Sequence, residues 1–279
     1  MHSPFLDTLH KRWAKGAYVC VGLDSDFDKL PDSIKKKYPN PGEAITFFNK
    51  AIIDATAEYA VAYKPNSAFY EMHGEGGWSA LRNTKEYLRG AYPDIPCLLD
   101  AKRGDLGNTN EAYARAVFED LGMDALTVNP YMGGESLEPL LKRKDKGIFV
   151  MVKTSNPGSG EFQDLKVGGN GEPLYMSVAR QVAEKWNTNG NCGVVVGATY
   201  PEEMNAVRRT VGELPILVPG IGAQGGDVAK TIAGGMGTHT FGLLINSSRG
   251  IIFASGGEDF ADAARSAAKK LSEEITMAL

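Results

Sequence analysis

Histidine and cysteine are scarce in this chain, four of the first and three of the second among 279 residues. His2, His10, His73 and His239 share no spacing suited to one metal ion, and none accompanies a motif that carries a nucleophile. Zinc chemistry and a Ser-His-Asp hydrolase are poorly supported for that reason. Cys20, Cys97 and Cys192 each sit in an apolar run and no two form C-x-x-C, so buried, reduced thiols of a cytosolic protein are expected. No apolar run approaches the ~20 residues needed to span a bilayer. The opening Met1-His2-Ser3-Pro4-Phe5-Leu6-Asp7 has no basic stretch followed by an apolar one, so no secretory leader is expected. Asn246-Ser247-Ser248 then matches the glycosylation sequon only by coincidence. There is no basic block and the net charge is −4, which argues against nucleic acid as the main partner.

What is present is a repeated alternation. Hydrophobic residues make up 43% and charged residues 23%, the balance of a soluble globular protein with ample core. The length suits one large barrel or two ordinary domains. A leading helix over 5–15 precedes an apolar strand at 17–23, which ends in Asp24 and Asp26. A helix over 41–59, with Ile45, Phe48 and Ile52 on one face, leads to a strand at 61–63 and then Lys64-Pro65-Asn66. Further apolar strands are expected at 96–99, 125–128, 147–152, 192–196, 215–218 and 240–245. Helices are expected around 78–88 and 135–144, and a long one over 260–277 closes the chain. Eight strands separated by helices, with no linker or shift of composition, point to an α/β fold: a (β/α)₈ TIM barrel forming a single domain over 1–279. A doubly wound open sheet is the competing architecture, because periodicity does not report closure.

The third strand carries the chemistry. Pro96-Cys97-Leu98-Leu99 runs into Asp100-Ala101-Lys102-Arg103-Gly104-Asp105 and then Leu106-Gly107-Asn108-Thr109. Strand alternation points Asp100 and Lys102 the same way, and Asp105 can swing back towards that lysine. Asn108 or Thr109 is placed to cap the following helix, and Gly122 to stop it. D-x-K-x-x-D alone equally suits a solvated turn. In a barrel, however, Asp24, Lys64, Asp100 and Lys102 stand at the ends of three neighbouring strands, and Asp105 can join them in an array of alternating sign. A lysine among carboxylates stays protonated, a poor Schiff-base nucleophile but a well-placed acid.

Two glycine-bearing stretches complete the pattern. Gly220-Ile221-Gly222-Ala223-Gln224-Gly225 has the form G-x-G-x-x-G, yet only one strand remains after it, too few for a dinucleotide-binding half. A phosphate site between the last two strands fits better. Gly220 and Gly222 let backbone N–H groups approach an anion, the next helix offers its positive end, and Arg249 supplies a bidentate grip. The segment 155–172 lacks an apolar face and follows strand five at the catalytic end, so it is expected to be a lid loop.

Together these residues resemble the orotidine 5′-phosphate decarboxylase family. The resemblance is carried by Asp24, Lys64, Asp100-Ala101-Lys102-Arg103-Gly104-Asp105 with Thr109, Ser155-Asn156-Pro157-Gly158, the run from Pro219 to Gly226, and Arg249, in order across nearly the whole chain. Lys64-Pro65-Asn66 and the longer loops are similar to the larger bacterial branch, although Leu106-Gly107 replaces an Ile-Pro common elsewhere. The resemblance implies that Lys102 protonates C6 of the pyrimidine as CO₂ leaves, with Asp100 beside the substrate carboxylate. It implies that Lys64 bridges Asp100 and the ribose, while Asp24 holds the ribose hydroxyls. Ser155 would read the pyrimidine, Gln224 would join the lid to the phosphate bound near Gly222, and Arg249 would bind that phosphate. It further implies a homodimer, Asp105 and Thr109 reaching the partner's site, and no metal or organic cofactor. The expected reaction is orotidine 5′-phosphate to UMP, the last step of de novo pyrimidine nucleotide synthesis, in the cytoplasm.

Two other functions compete. Related sugar-phosphate decarboxylases, synthases and aldolases share D-x-K-x-x-D and use magnesium, held partly by a glutamate at the end of strand two. Here that position is Lys64, whose charge repels a metal. The other is a catalytically silent nucleotide-binding barrel, which the full set of lysines and aspartates disfavours.

Overall fold

Eight parallel strands follow one another along the chain: β1 (Val19–Leu23), β2 (Ala60–Pro65), β3 (Leu98–Arg103), β4 (Ala125–Val128), β5 (Gly147–Lys153), β6 (Cys192–Val196), β7 (Ile216–Val218) and β8 (Leu243–Ser247). The computed structural model describes residues 3–169, 171–198, 201–221, 227–238 and 241–279. Of the residues singled out in the sequence, His2, Asn170, Gly222, Ala223, Gln224, Gly225, Gly226, His239 and Thr240 lie outside that set. The hydrogen-bonded order is β2-β1-β8-β7-β6-β5-β4-β3. Single bridges from Tyr63 to Cys97 and from Asn66 to Asp100 join the two ends. The sheet therefore closes into a barrel, and the open doubly wound alternative is ruled out. Most strand residues are buried, which is why the strands read as continuous apolar runs rather than alternating ones. Cys20, Cys97 and Cys192 are buried and unpaired, and burial pushes each thiol up to about 12.

The β2–β3 seam is the weakest ladder of the barrel. Pro96 has no N–H to donate, and pairing there is limited to two isolated bridges, which include Tyr63 N–H to the Pro96 carbonyl at 3.0 Å and Ser67 N–H to the Asp100 carbonyl at 3.2 Å. The strand ends also differ from the sequence reading in a useful way. β2 extends through Lys64, β3 through Lys102 and β8 through Ser247, so these side chains stand on the barrel wall and not on loops.

Helices cover the outside. Asn40 caps the helix Pro41–Thr56 by accepting from the N–H groups of Gly42 and Glu43, and Pro41 starts it. Its Ile45, Phe48 and Ile52 are buried, and Phe48 stacks on Phe260 of the closing helix Phe260–Ala278 at 5.3 Å between centroids. The helix after β3, Gly107–Ala114, begins two or three residues earlier than expected. Leu106 is its cap residue, and neither Asn108 nor Thr109 caps it. A π-helical stretch, Arg115–Asp120, extends it to Gly122, whose φ of 66° ends it as anticipated.

The segment 155–172 is not the plain loop its composition suggests. It holds a 3₁₀ turn (Pro157–Ser159), a short helix (Gly160–Gln163) and a two-stranded ribbon pairing Lys166–Val167 with Glu172–Pro173. Its base is pinned to β5. Buried Lys153 pairs with Asp164 at 2.5 Å, and the Thr154 N–H donates to the Gln163 side chain at 2.9 Å.

The leading helix, Pro4–Trp13, crosses the N-terminal end of the barrel. Phe5 packs edge-on to Phe149 near the start of β5, and Trp13 donates to the Leu243 carbonyl at the start of β8 at 2.8 Å. Arg12 donates to the carbonyls of Ala57 at 2.8 Å and Ala60 at 2.6 Å, and pairs with Asp94 at 3.2 Å. Its removal leaves those carbonyls without their donor. Arg12→Ala should lower stability by about 2–4 kcal/mol, read as a lower urea midpoint at unchanged slope. An unmoved midpoint contradicts this bracing role.

Candidate active site

The C-terminal end of the barrel is organised on Asp100. One carboxylate oxygen, Oδ2, accepts from Lys64 Nζ at 3.1 Å. The other, Oδ1, accepts from Lys102 Nζ at 2.7 Å and from the Thr127 hydroxyl at 2.8 Å. Lys64 also lies 3.8 Å from Asp24, so four charges alternate in sign from β1 across to β3: Asp24, Lys64, Asp100, Lys102. The Lys64 side chain is 4% exposed and that of Lys102 is 48% exposed. The inner lysine is thus sealed, while the outer one stands free to meet a bound molecule.

Asp100 and Lys102 meet, as alternation predicts, but by a different route. β3 loses register with β4 between Leu99 and Arg103, four β3 residues spanning the length of two in β4. Lys102 takes a left-handed φ of 47°, the single positive value among the described non-glycine residues. That conformation costs about 1–2 kcal/mol for a residue with a Cβ. It is held by the Thr127 hydroxyl oxygen, which accepts from the N–H of Ala101 at 3.1 Å and of Lys102 at 3.0 Å. Sequence reasoning gave Thr127 no role. Its signal was there, one polar residue in the strand Ala125-Leu126-Thr127-Val128, buried to 1% exposure.

Two cavities adjoin, sharing Lys64, Asp100 and Pro219. The first, of about 230 Å³, is bordered by Lys102, Thr127, Ser155 and Leu217. The second, of about 150 Å³, is bordered by Asp24, Asn246, Ser247 and Arg249. Asp24 Oδ1 and Asn246 Oδ1 are buried there without a hydrogen-bond partner, which marks them as acceptors awaiting a donor. Arg249 is exposed and has no partner among the described residues. Asn246 is the second residue that the sequence reading passed over, placed at the strand end without a part to play.

Other expected members are not brought in. Asp105 forms no ion pair with Lys102 in the same chain. Its carboxylate instead accepts from the Leu106 N–H at 2.6 Å, and its backbone is clamped by the Asn110 side chain at 3.2 and 2.7 Å. The swing back towards Lys102 expected from the sequence is therefore absent, because the helix start claims this carboxylate. Thr109 sits in the first turn of that helix, half-buried. Gly222 and Gln224 lie outside the described residues. Gly220 has a φ of 101°, as a glycine turn requires. The helix that follows, Val228–Gly235, does not offer a bare positive end, since Asp227 already caps it by accepting from the Lys230 N–H at 3.0 Å. Among the described residues, no cluster of three or more His, Cys, Asp or Glu is placed to hold a metal ion, and no helix is long and apolar enough to cross a membrane.

A family model described as orotidine 5′-phosphate decarboxylase / HUMPS matches residues 17–266. The chain belongs to this family. A protein of Thermomicrobium roseum named orotidine 5′-phosphate decarboxylase is 50% identical over 258 residues, 92% of this chain and 89% of that one. One of Bordetella petrii with the same name is 48% identical over 274 residues, 97% of this chain and 98% of its own. The solved structure of Leishmania donovani OMP decarboxylase matches with a TM-score of 0.83 at 40% identity, covering 98% of each chain. The likeness to these bacterial proteins agrees with the larger bacterial branch of the orotidine 5′-phosphate decarboxylase family, and the chain is an enzyme of the carboxy-lyase class.

The electrostatics of this family member's array follow from the distances. Burial pushes the Asp100 carboxyl up, but the ammonium groups of Lys64 and Lys102 outweigh it and hold the carboxyl well below the usual carboxylate range. Burial works against the Lys64 ammonium, yet Asp100 and Asp24 raise it above the ordinary lysine range. A carboxyl depressed on folding stabilises the fold above its unfolded value, and that contribution is lost as pH falls through the folded one. The raised lysine contributes below its unfolded value and loses this only as pH climbs through the folded one. The Asp100–Lys64 pair therefore keeps its charges from mildly acidic to mildly alkaline pH. A carbon-13 titration of Asp100 should show no midpoint at or above the ordinary 3.8. A midpoint above that value means that the ion pairs do not form in solution.

Proposed function

We propose that the chain converts orotidine 5′-phosphate to UMP by direct decarboxylation, without metal or organic cofactor, as the last step of de novo pyrimidine nucleotide synthesis in the cytoplasm. The observation that carries this reading is the chain of contacts Lys64–Asp100–Lys102, 3.1 and 2.7 Å, at the junction of two cavities. In the proposed reaction the bond from C6 to the carboxylate breaks, CO₂ departs and the electron pair stays on C6. Lys102 gives C6 a proton, and the resulting amine regains one from solvent. The carbanion is poorly delocalised by the ring, so an ammonium fixed beside it stabilises charge that exists only in the transition state.

The other roles follow the layout of the site. Asp100 sits beside the substrate carboxylate and holds the Lys102 ammonium at 2.7 Å. Lys64 links Asp100 to the ribose, and Asp24, whose buried Oδ1 faces Lys64 at 3.8 Å without a hydrogen bond, accepts from the ribose hydroxyls. Ser155 meets the pyrimidine in the first cavity. Arg249 grips the phosphate at the second, joined by Gly222 and Gln224. The segment 155–172 closes over the pocket as a lid pivoting on its anchored base. A magnesium-dependent sugar-phosphate enzyme needs a carboxylate where this chain has Lys64, and no observation favours that reading.

The working unit in this proposal is a homodimer. Leu106, Tyr131, Met132 and Phe162 are exposed at 59%, 85%, 50% and 62%. Tyr131 and Phe162 line a groove of about 730 Å³ that also reaches Lys102. A second copy seated there would deliver its Asp105 and Thr109 to this chain's Lys102.

Loss of orotidylate ultraviolet absorbance should proceed with chelator present. Lys102→Ala should abolish it while UMP still binds, and Arg249→Ala should weaken substrate binding by about 2–4 kcal/mol. Strict dependence on added magnesium, or an Arg249→Ala variant with both kinetic constants unchanged, contradicts the assignment. Mixing inactive Lys102→Ala with a strongly impaired Asp105→Ala should restore about a quarter of full activity, because half the random dimers then own one intact site of two. No recovery, with exchange of subunits verified, places Asp105 in its own chain's site.

A further inference from the structure

Thr127 makes three hydrogen bonds through one atom, and their directions are fixed by valence. A hydroxyl has two lone pairs and one proton. Both lone pairs of Thr127 Oγ1 are taken by N–H donors, those of Ala101 and Lys102. Its proton is left to Asp100 Oδ1, 2.8 Å away. The same Oδ1 accepts from Lys102 Nζ at 2.7 Å. One hydroxyl therefore fixes the backbone that turns Lys102 and also the oxygen that receives its side chain.

The β3 bulge explains why a side chain does this work. A regular parallel ladder sends successive N–H groups to opposite neighbours, Ala101 to β4 and Lys102 to β2, whereas across the gap in register both are directed to β4. Their N–H groups are turned to a buried side chain instead, and an apolar residue there would leave two donors unpaired. The chain's way out is a regular ladder, with Lys102 returning to a negative φ. Asp100 and Lys102 would then still share a face, but the changed φ re-aims the ammonium relative to the cavity.

We infer that Thr127 is a positioning residue for decarboxylation: its hydroxyl holds the left-handed turn at Lys102 and so aims the proton-donating ammonium. This rests on the proposed role of Lys102, and it separates Thr127 from a residue that merely fills the core. A packing role would be met by valine, which has the same shape. A positioning role is not, because only the oxygen can accept from both N–H groups.

The test uses the full chain with Thr127→Val and Thr127→Ser. Misplacement of a reacting group by about 1 Å lowers rate roughly 100-fold, so kcat of Thr127→Val should fall by that order. Its KM and UMP affinity should stay within about twofold, since binding groups are untouched. Thr127→Ser keeps the oxygen and should recover most of kcat. A crystal structure of Thr127→Val should show Lys102 at negative φ. Wild-type kcat in Thr127→Val, an equal loss of UMP affinity, or no recovery in Thr127→Ser overturns the inference. If Thr127→Val does not fold, Thr127→Ala carries the same expectations. Should the wild-type chain fail to decarboxylate orotidine 5′-phosphate, the reaction assignment falls, while Lys102 φ in the variant still decides what the hydroxyl holds.

Discussion

The Asp100 carboxylate is the point on which the rest of the structure turns. It sits on one side of the β2–β3 seam, and Lys64, on the other side, bonds to it at 3.1 Å. Pairing there is confined to two isolated bridges, so the ion pair spans a place where the backbone ladder is interrupted. Buried charges are tolerated only when paired and hydrogen-bonded, and Asp100 meets this with Lys64 on one oxygen and Lys102 and Thr127 on the other. Removing any one partner leaves a charge in low dielectric. The array that serves chemistry is thus also part of what closes the barrel.

The two ends of the barrel are finished differently. At the N-terminal end, Arg12 serves the carbonyls of Ala57 and Ala60, and Arg208 those of Gly235, Leu214 and Gly242. These carbonyls are satisfied within the chain, although Asn191 Oδ1, just before β6, is buried without a hydrogen bond among the described residues. At the C-terminal end, Lys102 holds a strained φ, and Asp24 and Asn246 keep buried oxygens without a hydrogen bond among the described residues. A strained backbone and two buried acceptors thus stand together beside the cavities, at some loss of stability.

The strands were legible because two-sided burial writes a parallel strand as an unbroken apolar run, and β4 and β6 fall at 125–128 and 192–196 as read. The charged residues were legible because they interrupt such runs. Closure was not, since it depends on bridges between Tyr63 and Cys97 that no periodicity records. Nor was the bulge at Asp100 to Lys102, whose φ is set by Thr127 on another strand. The segment 155–172 read as loop because its order comes from pairs such as Lys153 with Asp164 rather than from an apolar face. Asp105 read as a neighbour of Lys102 because its spacing allows it, but the N–H of Leu106 holds it elsewhere.

The central claim is that the ammonium of Lys102, held by Asp100, faces the carbon that loses CO₂. A crystal structure of the chain with UMP tests it most directly. The account predicts Lys102 Nζ within about 3.5 Å of C6, the separation of groups poised to react, with Asp100 still bonded to it. A complex in which UMP occupies the pocket while C6 faces another side chain and Lys102 points to solvent would contradict it.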